Sequence, residues 1–199
     1  MICELFIDKG DGQKSVEICV GTIDFPTTAL EKEPENGVVA YDLAISHFNS
    51  SRAFRLADNP SRTIEQAEKA IEVMSKLSKK SPENAEYKRN LAIYETEMAR
   101  AFIKLSQPDK ALVTLKTVLE KLIPVIEADK ESTTYQYDLS LAYRLFAQAH
   151  FKNGDKTKAV ESVNKAITVI QKLKELNALR ESDKSLLAEM EKEKADYSK

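Results

Sequence analysis

Residues 139–155 read LSLAYRLFAQAHFKNGD, and this stretch decides the fold. Its apolar and small residues recur three and four positions apart, which is the spacing of one face of an α-helix. Two earlier stretches match it at a fixed offset of 48 residues; the matching positions are Leu43, Leu91 and Leu139, then Ile45, Ile93 and Leu141, then Ala53, Ala101 and Ala149. A repeat of this length with helical periodicity predicts stacked helical hairpins, each of which buries its apolar face against its neighbours.

Turn residues divide the rest of the chain into the same units. Proline is tolerated in the first turn of a helix, so it marks helix starts, and such starts follow Asn59, Ser81 and Gln107. Pro124 is expected to kink its helix rather than end it, because the apolar pattern continues after it. The resulting units are an N-terminal extension over residues 1–37 and three helical repeats over residues 38–80, 81–130 and 131–178. A capping segment over residues 179–199 follows, with its helix expected to begin near Ser182.

The N-terminal extension has a different pattern. Two short apolar runs, residues 5–7 and 16–20, flank a polar loop that contains Gly10 and Gly12, and this arrangement predicts a β-hairpin followed by a linker over residues 21–37. The hairpin would place Cys3 roughly opposite Cys19. A disulfide is geometrically conceivable there, but two buried free thiols are the preferred interpretation. The hairpin is expected to dock on the repeats, to swap with another copy or to belong to a larger protein.

Composition excludes several classes of protein. Thirty basic and 32 acidic residues give a net charge of −2, so a globally basic nucleic-acid binder is not expected. No apolar run is long enough for a membrane span and the first residues lack the pattern of a secretory leader, so the expected location is the cytoplasm. The two cysteines are too few for a disulfide framework or a four-ligand zinc site.

The sequence does not favour an enzyme. It has no glycine-rich phosphate loop, no nucleophile in a strand-turn-helix context and no cluster of metal ligands, so neither a cofactor nor a metal is expected. His47 and His150 fall where the repeat packs one helix on another. A partly buried structural role is the preferred interpretation for both.

The distribution of large, apolar and small residues resembles that of the tetratricopeptide repeat family. The third repeat carries the resemblance best, with residues Tyr143, Phe146, Ala147, His150, Gly154, Asp155, Ala159, Val163 and Ala166. The resemblance implies an all-α fold, a tetratricopeptide-like α-α superhelix of antiparallel helix pairs, here with the β-hairpin-like extension at its start. The family's usual repeat is about 34 residues long. The longer repeat in this chain predicts about two extra turns per helix, and so helices of about 18 to 24 residues.

The resemblance also implies a binding surface. In the family, the first helix of each repeat, the leading helix, lines a concave groove, and we call the corresponding residues the inner-face positions. They are Ile45, Phe48, Arg52, Arg55 and Leu56, then Ile93, Thr96, Arg100, Ile103 and Lys104, then Leu141, Arg144, Gln148, Phe151 and Lys152. The predicted ligand-binding residues are these without Ile45, Leu56, Ile93 and Leu141.

All the charged residues at the inner-face positions are basic, although acidic residues slightly outnumber basic ones in the chain. Basic side chains interleaved with apolar ones suit an extended or helical segment that carries carboxylates and a few apolar anchors. The expected function is therefore a non-catalytic protein-protein interaction or scaffold module that binds a protein segment, with an acidic segment as the hypothesis. No nucleic acid or membrane is expected as a partner.

Alternatives stay open at this point. Arginines on helix surfaces are usually solvated or paired locally, and Arg100 could bridge to Glu97 one turn away. The chain could instead be the sensor or regulatory domain of a larger signalling protein, such as a kinase or transcription regulator. Self-association through the outer helix faces is compatible with either function, and a simple up-and-down helical bundle is the rival architecture.

Overall fold

The computed structural model describes residues 2–179 and 183–199, and these residues form helices, turns and loops without a β-strand. The helices are α1 (Ile2–Asp8), α2 (Gly12–Gly21), α3 (Asp24–Lys32), α4 (Gly37–Leu56), α5 (Pro60–Lys80), α6 (Ala85–Lys104), α7 (Pro108–Ala128), α8 (Thr133–Lys152), α9 (Lys156–Glu175) and α10 (Leu186–Tyr197). They pack in adjacent pairs within two compact units, Met1–Leu105 and Ser106–Lys199, which we call unit 1 and unit 2. The all-helical prediction is confirmed for the described residues.

The six repeat helices, α4 to α9, are 20 or 21 residues long, as the repeat length predicts. Asparagine caps start helices α4, α5 and α6. The Asn36 side chain accepts hydrogen bonds from two backbone amides, and Asn59 and Asn84 each accept one, which satisfies donors that lack a partner within the helix. Helix α6 therefore begins at Ala85, capped by Asn84, and not directly after Ser81 as expected.

Unit 1 is built around the antiparallel hairpin α4–α5 with α6 packed against it. The Phe48 ring stacks on Tyr94 with 4.5 Å between ring centroids, and Tyr94 is buried together with Met74 and Leu77. Burial raises the pKa of the Tyr94 hydroxyl strongly. This cluster ties the leading helices α4 and α6 together through their side chains.

Unit 2 contains α7 to α10. Its core is formed by small and branched residues of α9 packed on α8 and α10, with Met190 and Tyr197 of α10 buried in it. Pro124 lies inside α7, which continues four residues further, so this proline does not end the helix. The predicted start of the capping helix at Ser182 lies outside the described residues, and the described helix begins at Leu186.

The β-hairpin prediction is wrong, because residues 2–21 form two helices. Cys3 and Ile7 lie four residues apart on the buried face of α1, and Ser15 and Cys19 do the same on α2. That spacing is helical, but in helices of seven and ten residues it is easily read as two short strands. Asp11 caps α2, since its side chain accepts a hydrogen bond from the Lys14 amide at 3.0 Å.

Two further expectations for the extension are also wrong. Cys3 and Cys19 form a disulfide rather than two free thiols. The expected linker contains α3, with Pro26 in its first turn, where a proline leaves no hydrogen bond unmade.

Within the part of the chain that the structure describes, no helix combines the length and the apolar character that a membrane span needs.

Candidate functional site

Three of the predicted ligand-binding residues meet at one surface of unit 1. A pocket of about 250 Å³ lies where α4 ends, α5 begins and α6 ends, and we call it the basic notch. It is lined by Arg55, Asp58, Pro60, Thr63, Arg100, Ala101 and Lys104. Arg55, Arg100 and Lys104 are inner-face positions of the two leading helices in unit 1.

The turn between α4 and α5 shapes the notch. Asp58 has a φ of 54°, the left-handed conformation that closes a helix end, and α5 then starts at Pro60. Thr63 is fully buried behind this turn and its hydroxyl donates a hydrogen bond to the Asn59 carbonyl at 3.0 Å. Pro60 and Thr63 of α5 form one side of the notch, and Ala101 of α6 lines it with a small side chain.

The charges in the notch are held by ion pairs. Arg55 Nε donates a hydrogen bond to Glu97, and Arg100 Nε lies 3.8 Å from the other oxygen of the same carboxylate. Lys104 Nζ lies 3.0 Å from Asp58 Oδ1. When Glu97, which is 9% exposed, is counted with the lining residues, three basic and two acidic side chains leave one net positive charge. The Glu97 carboxylate pairs with both guanidinium groups.

The remaining predicted residues of unit 1 lie outside the notch. Thr96 is buried and its hydroxyl donates a hydrogen bond to the Ala92 carbonyl at 2.7 Å, and Ile103 is also buried. The Arg52 guanidinium lies 5.9 Å from the centroid of the Phe48 ring and 3.9 Å from the Asp8 carboxylate. These four side chains serve the packing of α4 and α6 or contact α1.

In unit 2 the predicted residues of α8 contact α10. Arg144 Nε donates hydrogen bonds to both carboxylate oxygens of Glu193 at 3.1 Å, and its Nη2 donates to Glu189 at the same distance. The Gln148 side-chain amide also donates a hydrogen bond to Glu193, at 3.2 Å, and the ring centroids of Phe151 and Tyr197 lie 4.7 Å apart. Lys152 is the last residue of α8 and is exposed.

Electrostatics reinforces this contact. Burial alone would lower the pKa of the Arg144 guanidinium, but the two carboxylates raise it, so the group stays fully charged. Burial also raises the pKa of Tyr197 to about 12, so its hydroxyl stays protonated. An acidic helix with an aromatic residue thus covers the inner face of α8.

Both histidines lie in packing positions. His47 Nδ1 lies 2.8 Å from the Gln66 side-chain oxygen, and burial lowers its pKa. His150 stacks on Phe146 at 5.7 Å, and burial lowers its pKa as well. Among the described residues no group of three or more His, Cys, Asp or Glu could hold a metal ion.

Sequence reasoning missed the acidic partners of the predicted residues, except that Glu97 was weighed as a local partner of Arg100. Asp58, Glu189 and Glu193 come from distant positions, and no local spacing signals them. A larger cavity of about 390 Å³, between α3, the start of α4 and the end of α5, contains none of the predicted residues.

A scan against protein-family models finds no match for this chain, and a search of curated proteins finds none either. The resemblance to tetratricopeptide repeats therefore stays a prediction that rests on this chain's own residues.

Proposed function

We propose that the chain is a tetratricopeptide-like interaction module without catalytic activity, which binds an acidic protein segment at the basic notch of unit 1. The observation that carries the proposal is the convergence of Arg55, Arg100 and Lys104 on one pocket. A single such residue would be ordinary surface charge. Three from two different helices, with a net positive charge left over, match a carboxylate ligand.

The ion pairs of the two arginines support the proposal. Glu97 accepts a hydrogen bond from Arg55 and lies 3.8 Å from Arg100 Nε, so one carboxylate restricts both guanidinium groups before a ligand binds. Ordering before binding reduces the entropy lost on association. Pro60 and Ala101 add apolar surface, which excludes water around a bound carboxylate and its methylene groups.

The contact between α8 and α10 supports the same chemistry. Arg144, at an inner-face position, forms ion pairs with Glu189 and Glu193, which lie one helical turn apart. Within unit 2, an inner face thus pairs with an acidic helical segment of the same chain. We propose that the ligand of the notch has this character, with carboxylates spaced by one turn and an aromatic residue beside them.

The Cys3–Cys19 disulfide bears on the compartment. Structural disulfides persist where thiols are oxidised and are rare in a reducing cytoplasm. The cytoplasmic location stays a prediction from the sequence, and the disulfide favours an oxidising environment instead.

The test is a comparison of two fluorescein-labelled helical peptides. The Glu peptide carries two glutamates one turn apart followed by a tyrosine, and the Gln peptide has glutamine in place of both glutamates. Fluorescence anisotropy should show that the Glu peptide binds at least about tenfold more tightly than the Gln peptide does. Its affinity should fall as salt is added, because the contact is ionic.

Matched variants locate the binding. Lys104→Gln combined with Arg100→Gln should weaken Glu-peptide binding about tenfold or more. Lys76→Gln removes a similarly exposed lysine, which pairs with Glu72 on α5 away from the notch, and should leave the affinity unchanged. Equal binding of both peptides, or equal binding by both variants, would contradict the proposal.

A further inference from the structure

Helices α1 and α2 form a small hairpin that is docked on α4 in unit 1. The disulfide between Cys3 and Cys19 lies at the centre of this contact, with the two cysteines 1% and 0% exposed. Ile7 and Ala53 complete the buried cluster, and Val16, Ile18 and Leu56 pack around it. The hairpin thus lies on the last two turns of α4, beside Arg52 and over Leu56, which are inner-face positions.

Gly12 sets how closely the hairpin approaches. A Cβ atom at this position would lie 2.7 Å from the Leu56 carbonyl carbon and oxygen and 2.8 Å from the Ala57 amide nitrogen. Backbone therefore meets backbone where α2 begins and α4 ends. The next residue of the chain after Ala57 is Asp58, which lines the basic notch, so the hairpin reaches the edge of the notch.

The disulfide joins α1 to α2, and the hairpin contacts α4 through this cluster and through the close approach at Gly12. The Asp8–Arg52 pair is 3.9 Å long and the Asp8 side chain is 74% exposed, so solvent screens it. Helices of seven and ten residues are not stable by themselves in water. The pairing of α1 with α2 therefore depends on the covalent bond together with the shared cluster.

We propose that α1–α2 is a thiol-sensitive cover, which in the oxidised protein closes the inner face of α4 and on reduction detaches and extends the acidic-segment surface from the notch to Arg52. This inference rests on the proposed function, because it concerns the regulation of the same site. It assigns a role to the disulfide and to Gly12 that packing alone does not require.

The redox step needs a dithiol as the reductant. Because both sulfurs are buried, the hairpin first opens locally, and a thiolate of the dithiol then attacks one sulfur to form a mixed disulfide. The second thiol of the reductant then attacks the reductant sulfur of the mixed disulfide. This closes the reductant's own disulfide and releases the remaining protein thiolate. Two electrons and two protons pass to Cys3 and Cys19, which become thiols, while the dithiol is oxidised.

The experiment compares the oxidised chain with the chain reduced by dithiothreitol. Hydrogen exchange is measured at the amides of α2 and α8, and Glu-peptide affinity is measured by anisotropy on the same samples. Reduction should speed exchange in α2 at least about tenfold and leave α8 unchanged. It should also tighten Glu-peptide binding about threefold or more, because Arg52 becomes accessible.

Two glycine variants separate release of the cover from the redox chemistry. Gly12→Ala pushes α2 off the α4 backbone with the cysteines intact, and should speed exchange and tighten binding without a reductant. Gly21→Ala is the matched control, since nothing lies within 4 Å of a Cβ atom at that position, and it should behave as the oxidised wild type.

Each result decides the inference. Equal protection of α2 in the oxidised and reduced chains would overturn it, whatever the peptide does. Release of α2 with unchanged Glu-peptide affinity would also overturn it, while binding that still depends on Lys104 would leave the proposed function standing. Absence of Glu-peptide binding in both redox states would overturn the proposed function together with the inference.

Discussion

The two units cover the predicted inner-face positions of α4 and α8 in different ways. In unit 1 the α1–α2 hairpin lies on α4 and is joined internally by a disulfide. In unit 2 a single helix, α10, contacts α8 through the Arg144–Glu193 pair and buries Met190 and Tyr197 against α9. One cover contains a covalent bond within a small apolar cluster, and the other combines apolar burial with an ion pair.

The difference follows from how much apolar surface each cover can bury. Helix α10 has 12 residues and inserts two large side chains into an existing core. Helices α1 and α2 are shorter, and the buried residues that they add to the cluster around Ala53 are Cys3, Ile7 and Cys19, with Val16 and Ile18 partly buried. Two of those three buried residues are the bonded cysteines, so the disulfide is itself part of the packing of this small element. Four predictions test this comparison.

The largest effect is expected at Met190, the most buried side chain of α10. Met190→Ala should lower the free energy of opening of α10 by about 4 kcal/mol, because it leaves a cavity in the core. Hydrogen exchange of the α9 and α10 amides measures this. Lys192→Ala, at an exposed position of the same helix, is the control and should change nothing. Unchanged exchange in Met190→Ala would mean that apolar burial does not hold α10.

Removal of the disulfide should destabilise the α1–α2 hairpin. Cys3→Ser with Cys19→Ser removes a link between residues 16 positions apart, which should lower the free energy of opening of α2 by about 3 kcal/mol. Exchange at the α2 amides measures the loss, and α8 serves as the internal reference. If the double variant protects α2 as well as the wild type does, packing and not the disulfide holds the cover.

The two arginine contacts should differ in strength. Arg144→Gln should lower the free energy of unfolding by about 1–2 kcal/mol, because the Arg144 side chain is 19% exposed and has two carboxylate partners. Arg52→Gln should lower the free energy of unfolding by less than about 0.5 kcal/mol, because its partner Asp8 is mostly exposed. Urea unfolding of both variants measures the difference. Equal losses would show that charge contributes alike to the two covers.

The smallest effect is a pH dependence that both units share. Burial lowers the pKa of His47 in unit 1 and of His150 in unit 2, so the folded state binds each proton less tightly than the unfolded state does. The stability that the two neutral imidazoles contribute is fully present above pH 6.5, and it is lost as the pH falls through their lowered folded-state pKa values. His47→Gln should remove part of this dependence, measured as urea midpoints between pH 5 and 7, whereas an unchanged slope would argue against a buried neutral imidazole.

The six repeat helices could be predicted because several signals agree on them. The fixed offset of 48 residues, the helical spacing and the prolines at positions 60 and 108 give the same boundaries for α4, α5 and α7. The extension offered no such agreement. Its helices have two or three turns, which is too short for a helical period to stand out from alternation, and glycines at positions 10 and 12 imitate a hairpin loop.

The placement of three basic residues beside one pocket could be anticipated from the sequence, but most of their acidic partners could not. Family resemblance placed Arg55, Arg100 and Lys104 on leading helices, and in unit 1 they line one notch. The carboxylates that neutralise them depend on tertiary packing, since Glu97 lies 42 residues from Arg55 in sequence. The expected strand pairing made a disulfide conceivable but left free thiols as the preferred interpretation, whereas the packing of α1 on α2 brings Cys3 and Cys19 into a bond.

The most direct test of the proposed recognition is an NMR titration of the arginine Nε–Hε signals with the Glu and Gln peptides. The account predicts that the signals of Arg55 and Arg100 shift with the Glu peptide and stay in place with the Gln peptide, because a carboxylate reaches the basic notch. Shifts of equal size with both peptides, or shifts confined to arginines outside the notch such as Arg89, would contradict it.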